Sequence, residues 1–165
     1  IILVLTPDIS EYLNIGNKGA FFIFYVLATI LIRLATGKIS DTYGRRQTLI
    51  VGMVILCISM ILIGLSDNST WYYISSIVFG VATGICSPTI FAWTADLSPP
   101  DRKGRGTGTM FIALEFGVLG GSLATNLWYQ NNLESIWNVF LFGAAMAFIC
   151  VVYLIWHIKT IPSKH

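Results

Sequence analysis

Two charged stretches of this sequence are spaced for pairing at helix ends. The first is Gly37-Lys38-Ile39-Ser40-Asp41-Thr42-Tyr43-Gly44-Arg45-Arg46. Gly37 lets two helix ends approach closely, and Gly44 permits a turn that other residues resist. Asp41 can accept from free backbone N–H groups at a neighbouring helix N-terminus. Arg45 and Arg46 can pair with carboxylates or lipid phosphates. A merely basic loop accounts for the two arginines but not for both glycines and Asp41 at this spacing. The second stretch runs from Ala95 to Gly108. In it Asp96 ends an apolar segment, Pro99 and Pro100 stop it, and Arg102, Lys103 and Arg105 precede the next.

Two further ionisable residues, Arg33 and Glu115, lie inside apolar runs. Charge is costly in hydrocarbon, which makes both functional candidates. Each lies about 9 Å below the basic end of its segment by helical rise, so the two can pair if their helices are neighbours. Snorkelling to the interface is the plain alternative for Arg33. For Glu115 the alternatives are structural pairing and proton carriage. Ser87-Pro88-Thr89 falls mid-segment, where a proline frees a carbonyl toward a cavity or a partner helix. Ser87, Pro88, Thr89, Trp93 and Thr94 are therefore candidate cavity residues. Gly80 and Gly84, and the cluster Gly117, Gly120 and Gly121, are expected to mark close helix contacts. Cys57, Cys86 and Cys150 have no metal-ligand spacing and are expected to be small buried hydrophobes. No nucleophile triad, phosphate-cradling loop or metal cluster is legible, so neither an enzyme nor an ATP-driven pump is expected, and no cofactor is implied. The sequon Asn68-Ser69-Thr70 lies in a very short loop and is read as chance.

These residues need rods that survive in lipid. The apolar fraction is 55% and the charged fraction 11%, against about 25% charged in soluble domains. Apolar stretches near twenty residues recur, the length that crosses the hydrocarbon. In that medium they must be helices. The pattern predicts the end of one span over Ile1 to Leu13 and five more over about 19–39, 48–65, 71–97, 109–129 and 134–157. The fold class is thus an all-α polytopic membrane bundle. The chain begins inside an apolar run, read as a first helix that is truncated. Short links at 40–47, 66–70, 98–108 and 130–133 make sequential helices antiparallel. Lys38, Arg45, Arg46, Arg102, Lys103, Arg105, Lys159 and Lys164 fall on one side, and only Lys18 on the other. The basic side, with the C-terminal tail and His157, is expected to be cytoplasmic, leaving Asp8, Glu11, Asp67 and Glu134 outside. Trp71, Tyr72, Tyr73, Trp128 and Tyr129 are expected to form an outer aromatic belt.

The first stretch resembles the loop signature of the major facilitator superfamily, Gly-x-x-x-Asp-(Arg/Lys)-x-Gly-(Arg/Lys)-(Arg/Lys), departing at Thr42, where a basic residue is usual. The second is similar to that family's acidic–Pro–basic–Gly link after the fourth or tenth helix, with Lys103 where Arg is usual. The resemblance covers essentially the whole chain. It implies a six-helix half-bundle, helices seven to twelve, similar to the second half of drug and sugar effluxers. Helices one to six are the rival assignment. It also implies that Asp96, Arg45 and a basic residue of the second link form a cytoplasmic charge cluster, made in one conformation and broken in another. The Gly117 to Gly121 stretch is similar to the family's antiporter motif but lacks its proline. The implied activity is alternating-access transport of a small solute in the cell membrane, driven by a proton or ion gradient. The implied partners are the lipid bilayer, the solute and the other six-helix half, with no nucleic acid. A non-transporting sensor or assembly protein on the same bundle and an uncoupled facilitator remain open.

The orientation is testable. Short tags placed in the Arg45 turn and in the Arg105 turn are expected to be shielded from the outside of intact cells and labelled only after permeabilisation. Labelling of the two turns from opposite faces overturns the threading.

Overall fold

The computed structural model describes residues 1–17, 19–129 and 133–160. Lys18 and Lys164, and the side chains of Glu134, His157 and Lys159, lie outside that description, so the expectations placed on them stay with the sequence. All regular elements among the described residues are helices: α1 Ile2–Tyr12, α2 Ala20–Tyr43, α3 Arg45–Gly64, α4 Ser69–Leu97, α5 Lys103–Trp128 and α6 Leu133–Thr160. Five are long and apolar enough to cross a membrane, the last counted over Ser135–Trp156. At 20 to 29 residues, they reach about 30 to 44 Å at 1.5 Å per residue. The chain is an integral, multi-pass membrane bundle.

Several helices run beyond the spans expected from hydropathy, chiefly at their basic ends. Hydropathy locates the edge of the hydrocarbon, whereas a helix continues into the interface until something breaks its hydrogen-bond ladder. The expected loop over 40–47 is therefore not a loop. Residues 40–43 end α2, residues 45–47 open α3, and Gly44 alone joins them with φ 92 and ψ 144. That region of φ/ψ space is essentially glycine-only. Pro99 and Pro100 stop α4 as expected. Asn68, read as part of a chance sequon, is the N-cap of α4: its side-chain oxygen accepts from the Trp71 N–H at 3.0 Å.

Polarity is inverted relative to a water-soluble protein. Large apolar side chains face outward, with Leu34 at 77% and Leu127 at 75% exposure, while Thr6, Ser10, Ser59, Ser75 and Ser76 are fully buried. These hydroxyls do not stand unpaired. Thr6, Thr36 and Thr89 donate to the carbonyl four residues back, and Ser59, Ser75 and Ser76 to the carbonyl three back. These buried hydroxyls are thus satisfied within their own helices, as a lipid environment favours.

α4 is the axis of the bundle. It packs against α2 on one side and α3 on the other, while α3 also packs on α6. α5 packs chiefly on the flanks of α4 and α6, and its apolar window is 6% buried. A cluster at the Trp71 end centres on α1, where Leu5 and Ile9 meet Phe21, Ile63, Tyr72, Val139 and Phe140. Tyr72 leaves the expected aromatic belt for this core. It is 1% exposed, its ring lies 5.0 Å from Phe21, and its hydroxyl donates to the Thr6 carbonyl at 2.8 Å. A buried tyrosine is stable only when its O–H has such a partner. Trp71 and Trp128 remain at the surface. A smaller cluster at the basic end joins Leu49, Cys86 and Leu154. Of the cysteines, Cys86 is buried, Cys57 is half-buried and Cys150 is exposed on α6.

Missing side chains set the spacing of the helices around α4. A Cβ built on Gly80 would lie 2.5 Å from the Tyr25 carbonyl oxygen and 2.8 Å from Ala28 Cβ on α2. One on Gly84 would lie 3.1 Å from Ile32 Cβ and 3.1 Å from the Thr29 carbonyl. Across the other seam, Gly52 of α3 leaves room for Ile85 and Cys86 of α4. The expectation of close contact holds for Gly80 and Gly84. It does not hold inside this chain for Gly117 and Gly120, which have nothing within 4 Å, and Gly121 meets only Ile1 at 3.7 Å. Gly37, also expected at a close approach, has open space around it.

Gly80→Ala is expected to push α2 off α4 and to cost about 1–3 kcal/mol of stability. Gly117→Ala is expected to cost under about 0.5 kcal/mol. Thermal unfolding of the purified protein in detergent compares them, and equal losses would exclude a steric origin for the α2–α4 spacing.

Candidate functional site

The single-residue joint at Gly44 places Asp41, in the last turn of α2, four positions before Arg45, the first residue of α3. The Arg45 guanidinium pairs through Nη1 with Asp41, and its Nη1 also donates to Ser40 Oγ at 3.2 Å. Its Nε donates to Asp96 Oδ2 at 2.9 Å, at the end of α4. One arginine therefore ties the ends of α2, α3 and α4 together. The same contact fixes the end of α4 beside the start of α3, so the described cations of both stretches lie at one end of the bundle. The guanidinium is the more sheltered partner, with the Arg45 side chain 25% exposed against 64% for Asp41 and 54% for Asp96. Arg46 turns the other way, over the Trp93 ring at 5.9 Å from its centre.

The cluster differs from the expected one in its third member. The link 99–105 contributes no cation to it. Arg102 donates to its neighbour Asp101 at 3.1 Å, and Lys103 and Arg105 enter no ion pair among the described residues. Asp41 takes that place, with Arg45 as its partner within this chain in place of the expected backbone N–H groups. The reason is positional. Pro99 and Pro100 end α4, and Arg102 is already the N-cap of a loosely packed α5.

Arg33 and Glu115 do not meet. α2 and α5 share no substantial packing, and no ion pair joins the two side chains. Arg33 Nη2 instead donates to Ser87 Oγ at 3.2 Å, one residue before Pro88. Glu115 is exposed on α5, away from the Met110, Gly121 and Thr125 face that meets the rest of the chain. The five candidate cavity residues point in different directions. Ser87 faces α2. Trp93 belongs to the Leu49–Cys86–Leu154 cluster, Thr89 is buried with its hydroxyl bonded to the Ile85 carbonyl, and Thr94 lines a crevice against α5. Pro88 stays within an unbroken α4.

Sequence reasoning missed the polar row that continues from Arg33 along the α2–α4 seam. Thr29 Oγ1 donates to the Tyr25 carbonyl at 2.8 Å and lies 3.1 Å from the Gly80 carbonyl and 3.4 Å from Thr83 Oγ1. Its signal was present as four-residue spacing, Thr29 to Arg33 on α2 and Thr83 to Ser87 on α4. Ser40, a further partner of Arg45, was also passed over because it was assigned to a loop.

Comparison with known proteins agrees with this architecture. The family model described as Major Facilitator Superfamily matches residues 1–165. The chain is 21% identical to multidrug resistance protein 2 of Bacillus subtilis, over all of this chain and 42% of that protein. It is 29% identical to the MFS-type transporter EfpA of Mycobacterium tuberculosis, over 76% of this chain and 25% of that protein. It is 27% identical to a D-xylose transporter of Levilactobacillus brevis, over 67% of this chain and 25% of that protein. The chain thus spans less than half the length of these curated relatives. An all-helical bundle with five membrane-length spans and a match along its full length place this chain in the major facilitator superfamily.

Proposed function

We propose that this chain forms the second six-helix half of a secondary transporter that moves a small solute by alternating access. The Arg45 cluster is the observation that carries this reading. A guanidinium bonded to two carboxylates from different helices is strong enough to hold one arrangement and exposed enough to be released. Each exposed arm contributes up to about 1 kcal/mol, roughly fivefold in the balance between two conformers. That suits a latch for a two-state rocking motion better than a permanent structural tie. The solute site would lie between this half and a second bundle, as in repeat-built transporters. The outward, thinly packed faces of α2 and α5, with Arg33 and Glu115 on them, suit such a partner.

The basic end, and with it the C-terminal tail, is assigned to the cytoplasm of a cell-membrane protein on the positive-inside asymmetry. Export driven by a proton or ion gradient is the favoured direction, because one of the named relatives is a multidrug resistance protein. The D-xylose transporter among the relatives favours a second reading, sugar movement without efflux.

Solute counterflow in proteoliposomes holding the intact protein tests transport itself. Exchange of a cationic drug or a pentose is expected, and failure across both classes favours a non-transporting sensor. An imposed pH gradient should accelerate uptake, and indifference to it would mark a facilitator. Asp41→Asn and Asp96→Asn in the intact protein are each expected to slow turnover several-fold while leaving solute affinity within about twofold. A normal rate in both variants removes the latch.

A further inference from the structure

The cations of the second link are left over from the Arg45 cluster, and their surroundings give them a different use. Arg102 and Arg105 border two adjoining cavities at the basic end. One, of about 510 Å³, is formed by Asp101, Arg102, Gly104 and Arg105. The other, of about 610 Å³, shares both arginines and runs between the end of α4 and the start of α5. It is shallow and open, and its apolar lining is Leu97, Pro99, Met110 and Ala113. The Ser98 hydroxyl on its wall is already committed to the Thr94 carbonyl at 2.7 Å, and the Thr109 hydroxyl to the Arg105 carbonyl at 3.0 Å. Deeper along the seam, Phe91 and Phe111 meet edge to face at 5.6 Å between ring centres. The crevice is an open groove with the two arginines at one end and apolar side chains along the other.

Charge at the mouth is unbalanced. Asp101 is the one acidic residue in the stretch 98–108, against Arg102, Lys103 and Arg105. It is taken by Arg102, and Arg105 has no carboxylate partner among the described residues. No side chain caps the start of α5, so its first-turn N–H groups add positive potential to the same mouth. Gly104 and Gly108, with nothing within 4 Å of a built Cβ, leave that turn unshielded.

We propose that this crevice binds an anionic phospholipid, its phosphate at Arg102 and Arg105 and one acyl chain along Leu97, Met110 and Ala113. Basic pockets between helices at a membrane's charged interface recognise such headgroups. A free phosphate ion makes no use of the apolar side chains, and Leu97, 72% exposed, lies where a lipid tail would cover it. The site is separate from the Arg45 latch and does not depend on which solute is moved.

The intact protein in phosphatidylcholine vesicles, with and without about one-quarter phosphatidylglycerol, provides the test. Phosphatidylglycerol is expected to raise the melting temperature of the wild type and to survive on it as bound lipid in native mass spectrometry. Two arginines near a charged surface support about 30-fold in affinity, so R102Q/R105Q should lose most of the bound lipid and most of the shift. R102K/R105K should keep part of both, and K38Q, at the neighbouring turn, should keep them in full. Melting of each variant in pure phosphatidylcholine controls for folding. Soluble glycerol phosphate should give no shift. The proposal is overturned if R102Q/R105Q retains lipid as well as the wild type, if K38Q loses it equally, or if the soluble anion stabilises as much as the lipid. It also falls if the intact protein retains no phosphatidylglycerol, as when a carboxylate of its own fills the crevice.

Discussion

In hydrocarbon an apolar side chain gains nothing by exchanging lipid for another apolar side chain, so helices hold together where their backbones come close. In this chain that happens along α4. Gly80 and Gly84 admit the backbone of α2, and Gly52 of α3 admits Ile85 and Cys86 from the opposite side. The consequences spread outward. With α2 drawn against α4, Thr29 reaches the Gly80 carbonyl and Arg33 reaches Ser87. With α3 drawn against α4, Arg45 reaches Asp96 and Arg46 comes over Trp93. α5 has such a contact only in its first turn, where Gly106 comes close to Ser98 at the end of α4; Gly104, Gly108, Gly117 and Gly120 face open space, and the helix stays at the margin.

The polar groups follow one logic at two depths. Inside the bundle, most serine and threonine hydroxyls bond back to their own helices, and the bonds that cross between helices are few: Tyr72 to the Thr6 carbonyl, Thr29 to the Gly80 carbonyl and Arg33 to Ser87. At the basic end the situation reverses, because the Arg45 bonds run between helices and are partly exposed to water. A tie between helix ends that can be remade in water is what the proposed alternating-access reading requires. A buried ion pair in the same place would be costly to break.

Arg45 and Arg105 belong to similar-looking basic turns and end up doing different things. Arg45 follows a one-residue joint and faces a carboxylate on each side. Arg105 follows a proline stop and an N-cap, faces no carboxylate among the described residues, and borders a crevice. Charge content does not separate them; the helix on which each side chain begins does.

Composition and spacing alone determined that the chain is a membrane bundle, how many long spans it has, where they lie to within about six residues, and that Gly44 makes a turn near Arg45 at the basic end. These are properties of the solvent and of local chain geometry, both written residue by residue: a twenty-residue apolar run has one stable form in lipid, and a glycine-only turn needs glycine. Tertiary structure decided the partners. Asp41 joined Arg45, Arg33 turned to Ser87 while Glu115 pointed away, Tyr72 entered the interior, and Trp93 packed half-buried beside the Leu49 cluster. Spacing along the chain gives depth in the membrane but not azimuth around the bundle. Azimuth is set by which helix faces approach, and here the bare backbones of Gly52, Gly80 and Gly84 chose them.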